Sequence, residues 1–227
     1  MTDKKRIMCF GDSLTWGWIP IAEGAPTLRY PFEQRWTGVM AAELGSGFEI
    51  IEEGLSARTT SLDDPVDPRL NGSAYLPSAL ASHLPLDLVI VMLGTNDTKS
   101  FFRRTPYEIA NGMSKLLGQI ATSGGGVGTP YPAPRALVIA PPPLTPMPHL
   151  WFHGMFEGGH EKTKELAKHY QALASFSGAS FLNAGDFITT DGVDGIHFTP
   201  RNNADLGRAV ANKVKAIFAE WPASSAA

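Results

Sequence analysis

The stretch Arg6-Ile7-Met8-Cys9-Phe10-Gly11-Asp12-Ser13-Leu14 joins a short apolar run to a turn-forming tetrapeptide. Four apolar residues in succession, with no polar alternation, read as a strand buried on both faces, as in a parallel sheet. In an open α/β sheet, ligands bind beyond the carboxyl ends of the strands. A strand over residues 6–10 therefore carries Ser13 to the mouth of a site and makes its hydroxyl a candidate nucleophile. Gly-Asp-Ser is also ordinary turn chemistry, so the reading depends on what stands downstream.

Further along, apolar runs alternate with helical periodicity, the pattern of βα units. Strands are predicted over residues 6–10, 48–52, 86–93, 136–140 and 180–183, with Val89-Ile90-Val91-Met92 the most apolar and therefore central. The fold class is α/β with a five-stranded, mostly parallel sheet. Thr105-Pro106-Tyr107-Glu108 is a capping box with proline at the first helical position. It is followed by Ile109, Met113, Leu116, Leu117 and Ile120 at helical spacing. Thr199-Pro200 opens a last helix the same way, with Leu206, Val210, Val214, Ile217 and Phe218 as its stripe. A helix over residues 161–176 carries Leu166, Tyr170 and Leu173. Three long loops, over residues 14–34, 54–76 and 141–159, all follow strands and so gather at one end of the sheet. Loops of that length in a compact domain usually serve function or an interface. One domain is expected over residues 1–221, with a frayed tail over 222–227.

Composition narrows the partners. With 227 residues, 43% apolar and 18% charged, the chain suits one globular domain. A net charge of -3 argues against nucleic acid, which needs a basic patch. No apolar run is long enough to span a membrane. The basic start Lys4-Lys5-Arg6 precedes only four apolar residues, and cleavage beyond them would cripple Ser13, so no secretory signal is expected. Cys9, the single cysteine, has no internal disulfide partner and reads as a small buried hydrophobe. A reducing, cytoplasmic location is expected.

The rest of a hydrolase does stand downstream. Gly94-Thr95-Asn96-Asp97 follows the third strand, Asp194-Gly195-Ile196-His197 precedes the last helix, and Gly54 follows the second strand. A serine hydroxyl needs a base to take its proton, and His197 can take it and return it to the leaving group. A carboxylate on the second ring nitrogen holds the tautomer and stabilises the cation. Asp194, three residues away, is the choice, with Asp191 the competitor. For the oxyanion of acyl transfer, the backbone N–H groups of Ser13 and Gly54 and the Asn96 amide are the candidate donors.

Ser13 in Gly-Asp-Ser-Leu, Gly54, Asn96 in Gly-Thr-Asn-Asp and His197 in Asp-x-x-His resemble the four blocks of the SGNH (GDSL) hydrolase family, in family order. The stretches over residues 11–18 and 52–60 resemble its arylesterase branch, whose activities include acyl transfer and perhydrolysis in water. The resemblance implies a three-layer α/β/α flavodoxin-like fold, a metal-free and cofactor-free Ser-His-Asp triad, and esters as substrates. It also implies a homo-oligomer, an octamer. The Gly-x-Ser-x-Gly elbow of the larger α/β-hydrolase class is missing.

Leu14, Trp16, Trp18, Phe152, Phe156 and Ile196 lie in the loops expected around Ser13 and suggest a narrow apolar pocket. Such a pocket would disfavour water at the acyl-enzyme stage and pass the acyl group to alcohols or hydrogen peroxide. Ser56 is placed at the mouth, as a contact of the nucleophile loop or as a turn residue, and Lys99 as a solvated charge at the entrance. Asp12 and Asp97 read as turn or cap residues. His149, His153 and His160 lack a completing carboxylate at ligand spacing, so no metal is expected. Gly124-Gly125-Gly126-Val127-Gly128 follows a helix and lacks the phosphate-loop lysine, so no nucleotide is expected. The competing readings are a carbohydrate deacetylase or a lysophospholipase-type esterase on the same triad, and a non-catalytic binding protein that kept the fold.

Overall fold

The computed structural model describes residues 4–220. Its centre is a five-stranded, wholly parallel sheet in the order β2-β1-β3-β6-β7. The strands are β1 (Lys5–Gly11), β2 (Phe48–Gly54), β3 (Leu88–Met92), β6 (Arg135–Ala140) and β7 (Ser180–Asn183). All five lie where the apolar runs predict them, and β3 is central and buried at every residue. The order is that of a flavodoxin-like sheet, and the chain reverses direction across it between β1 and β3.

Helices cover both faces. Ile7, Cys9, Leu88, Ile90, Met92, Leu137 and Ile139 meet α2 (Trp36–Leu44) and α7 (Pro200–Ala219) through Trp36, Met40, Leu206, Val210 and Val214. Met8, Phe10, Val89, Val91, Val138 and Ala140 face α3 (Gly72–His83), α4 (Pro106–Ala121) and α6 (Gly159–Ser177). Successive strand residues thus serve opposite cores, which is why the strands read as unbroken apolar runs.

The capping box at Thr105 and Glu108 is formed on both sides. Thr199 differs from expectation: its side chain makes no cap, because its hydroxyl donates to Asp191. The loops also hold more structure than the sequence suggests. Two short helices, α1 (Ser13–Trp16) and α5 (Leu150–Met155), sit inside them, and α3 begins at Gly72, so Leu76 is helical. The glycine-rich segment forms a small antiparallel hairpin of β4 (Gly125–Gly126) and β5 (Thr129–Pro130). Among the described residues no helix is long and apolar enough to cross a membrane. The expected tail over residues 222–227 lies outside the described residues.

Candidate active site

Ser13 is the first residue of α1, straight after β1. Asp12 caps that helix by accepting the Leu14 N–H at 2.9 Å. Gly11 has to be glycine: a Cβ there would lie 2.1 Å from Thr15 Oγ1 and 3.0 Å from the Met92 carbonyl. The tight turn from β1 into α1 therefore needs a residue without a side chain, and that turn aims the Ser13 hydroxyl over the sheet edge.

His197 arrives from the loop before α7. Asp194 Oδ1 accepts the N–H groups of Ile196 and His197, each at 3.0 Å, and Gly195 takes a positive φ of 77° to close the turn. With the backbone so folded, Asp194 Oδ2 accepts His197 Nδ1–H at 2.7 Å. The other ring nitrogen, Nε2, then accepts the Ser13 hydroxyl at 2.8 Å. Asp194 is fully buried and His197 nearly so. Burial pulls the Asp194 carboxyl up, but hydrogen bonds and charge from His197, with the two backbone N–H donors, hold it below the usual range. The competitor Asp191 is turned away, bonded to the Thr199 N–H at 2.8 Å and to its hydroxyl.

A cavity of about 170 Å³ opens over Ser13 and His197. Trp18, Ser56, Asn96, Lys99, Phe152, Phe156 and Ile196 line it, as the sequence predicts. Trp18 stacks on the His197 ring, 5.1 Å between centroids. Two pocket residues are misplaced by sequence reasoning. Leu14 is buried in the core under the sheet, because the first turn of α1 points it inward. Trp16 lies outside the cavity lining and packs against the Arg29 guanidinium at 5.4 Å. Lys99 is not a solvated charge: it is 5% exposed, 3.9 Å from Asp64, and burial lowers its pKa.

Gly54 also differs from expectation. It closes β2 opposite Gly11, its Cα packed so tightly on α1 that a Cβ would fall 2.5 Å from the Trp16 nitrogen, and it does not line the cavity. The residue that does is Ala57, with a left-handed φ of 69°. Such a conformation is strained for alanine and clusters at functional sites. Among the described residues, the N–H groups of Ser13 and Ala57 donate to no protein acceptor. The Asn96 amide touches the Arg58 carbonyl at 3.2 Å and Asp12 Oδ2 at 3.3 Å. Ala57 and Met155, which also lines the cavity, escape sequence reasoning because one works through its backbone and the other through generic apolar contact.

Beneath the site lies a buried acidic pair. Asp97 is more than a turn residue: it ties two loops together by accepting the Thr60 N–H and hydroxyl. Burial pushes the Asp12 carboxyl up to about 7 and that of Asp97 up to about 6. His160 Nδ1–H donates to the Leu144 carbonyl at 2.6 Å, and His149 packs on Phe152. Among the described residues no three His, Cys, Asp or Glu side chains are grouped as a metal ion would need.

The model of the GDSL-like Lipase/Acylhydrolase family matches residues 9–204. A carbohydrate acetylesterase from Sinorhizobium meliloti is similar at 71% identity, over 95% of this chain and 100% of its own, with a TM-score of 0.94. An aryl esterase from M. smegmatis is similar at 67% identity, over 93% of this chain and 99% of its own, with a TM-score of 0.92. A putative arylesterase from Agrobacterium tumefaciens is 37% identical, over 94% and 99% of the two chains, with a TM-score of 0.81. No curated protein matches the chain.

Proposed function

The chain belongs to the GDSL-like lipase/acylhydrolase family and is an esterase, and on that premise we propose that it works through Ser13, His197 and Asp194 on short-chain esters. The observation that carries the reading is the continuous relay from Asp194 Oδ2 to His197 at 2.7 Å and on to Ser13 Oγ at 2.8 Å.

In this mechanism His197 takes the Ser13 proton as Oγ attacks the ester carbonyl. Asp194 keeps Nδ1 protonated and stabilises the imidazolium. The oxyanion meets the N–H groups of Ser13 and Ala57, whose hydrogens are free, and the Asn96 amide. Replacing Gly54 by Ala57 in this role follows from which of them lines the cavity. Collapse of the intermediate expels the alcohol with the proton from His197. The acyl group then passes from Ser13 to water, to an alcohol or to hydrogen peroxide. A cavity of about 170 Å³ is below the range that holds drug-sized ligands and favours a short acyl chain. Its apolar walls support transfer to alcohols and perhydrolysis beside hydrolysis.

Two alcohol partners fit the premise, since similar proteins carry both carbohydrate acetylesterase and aryl esterase in their descriptions. Esters of graded acyl length, presented as phenyl esters and as acetylated sugars, separate them. Free acid and transfer product are measured separately with an added alcohol or with peroxide. Fluorophosphonate labelling that survives in Ser13→Ala would refute the nucleophile. Free acid as the sole product would refute the transferase part.

A homo-oligomer belongs to the same reading. Phe101, Leu150 and Trp151 are 47%, 82% and 70% exposed beside the catalytic mouth, an apolar patch of the kind that marks an interface. Light scattering on the purified chain tests it, and a monomer at micromolar concentration would refute it. A reducing, cytoplasmic setting is consistent with a lone thiol, Cys9, that burial makes inert.

A further inference from the structure

Behind the loop that carries Ser56 and Ala57, a second cavity of about 480 Å³ is lined by Glu53, Gly54, Leu55, Arg58, Asn71 and Tyr75, among others. It shares no lining residue with the Ser13 cavity. Arg58 is the unusual member. It is 2% exposed, yet among the described residues no carboxylate is bonded to it. Its hydrogen bonds both leave from Nη1, to the carbonyls of Gly11, at 2.9 Å, and of Glu53. Phe10 and Tyr75 pack beside it, their centroids 4.2 and 5.3 Å from the guanidinium carbon and 6.4 Å from each other. On the edge bearing Nε, Nε is buried and, among the described residues, without a partner.

The nearest acid does not fill that edge. Glu53 Oε1 accepts from His83 Nε2 at 2.7 Å and from the Tyr75 hydroxyl at 3.4 Å instead. Asp67, near the rim, is taken by Arg69. A guanidinium engages a carboxylate with two parallel N–H donors along one edge. A buried cation with neutral acceptors on one side and an empty donor edge on the other is incompletely compensated. Consistent with this, desolvation lowers the Arg58 pKa to about 10 in spite of the charges of Glu53, Tyr75 and Asp12 around it.

We propose that this cavity is a second ligand site that binds small monocarboxylates of the acetate and propionate class through the free edge of Arg58. That is the acid class released by hydrolysis of short esters, so the site is placed to sense product. The link to the reaction is structural. The Arg58 carbonyl holds the Asn96 amide, its guanidinium holds the carbonyl of Gly11 two residues before Ser13, and its nitrogen follows Ala57 directly. The binding itself does not depend on the esterase reading; only its consequence for turnover does.

The test uses the full chain with sodium propionate as the probe. A fluorophosphonate on Ser13 first fills the catalytic cavity, and mass spectrometry confirms the adduct; an absent adduct would count against the nucleophile and not against this site. Saturation-transfer NMR should then still detect propionate. The signal should weaken at least tenfold in apparent affinity in Arg58→Lys, which keeps the charge but not the fork. Ala74 also lines the cavity, from the exposed side of α3; Ala74→Trp should fill the cavity while leaving Arg58 in place, and abolish the signal with ester hydrolysis retained. In the unmodified enzyme propionate should lower kcat at constant KM, and not in Ala74→Trp. Loss of the signal on phosphonylation, or its persistence at full strength in Ala74→Trp, overturns the proposal.

Discussion

Gly11→Ala is a stringent probe of how the turn before Ser13 is built. Gly11 does not need a positive φ, so alanine costs nothing in backbone conformation, and the whole effect is steric. The new Cβ would lie 2.1 Å from Thr15 Oγ1, 2.7 Å from Thr15 Cβ and 3.0 Å from the Met92 carbonyl. Rotating Thr15 relieves the first contact but not the second, since Thr15 Cβ is fixed to the α1 backbone. Opening a 2.7 Å carbon pair to a normal contact of about 3.5 Å moves α1 by about 0.8 Å. Ser13 rides on α1, while His197 is held by its own turn. A displacement near 1 Å of a reacting group costs on the order of 10²-fold in rate, and an overpacked methyl costs about 1–3 kcal/mol of stability. Gly118→Ala is the control: it lies on α4 with nothing within 4 Å of the new Cβ, and should gain up to about 1 kcal/mol from helix propensity. The assay is kcat/KM with phenyl acetate beside a urea midpoint for each variant. Wild-type kcat/KM in Gly11→Ala would refute the claim that the β1–α1 turn positions the nucleophile.

Other outcomes follow from the same geometry. Because the folded Asp12 carboxyl is raised to about 7, its contribution to stability is full below about pH 4 and is lost as pH rises through 7, a span of about 4 kcal/mol. Asp12→Asn should therefore flatten the fall of the urea midpoint between about pH 4 and 7, and parallel curves for the two proteins would count against a buried neutral acid. Asp194→Asn should lower kcat by roughly 10³–10⁴ through the wrong imidazole tautomer, whereas Asp191→Asn should cost about 1 kcal/mol of stability and little rate. Equal losses of kcat in the two variants would undo the assignment of Asp194. Removing the Trp18 ring, stacked 5.1 Å from His197, should shift products from alcohol transfer toward free acid, and an unchanged product ratio would show that this wall does not select the acceptor.

Much of the molecule is legible in the sequence, for reasons that particular residues make plain. A strand buried on both faces, such as Val89 to Met92, leaves an unbroken apolar run whatever packs on it. The helix stripe from Ile109 to Ile120 and its capping box are written in spacing alone. Ser13, Asp194 and His197 are legible because each carries a chemically distinctive side chain directly after or between elements whose order in an α/β sheet decides where loops emerge. Asp194 wins over Asp191 by one local device, a side chain that accepts two backbone N–H groups and so must face the ring.

The tertiary structure decided what depends on which way a backbone or side chain turns. Leu14 and Trp16 belong to the right loop, yet α1 sends one into the core and the other to Arg29. Lys99 loses its water because another loop, with Asp64, folds across it. The free N–H of Ala57, set by a left-handed φ, and the open edge of Arg58 have no signature in residue type. They exist only where loops distant in sequence meet, since a backbone donor is the same in every residue until packing decides which one is left without a partner.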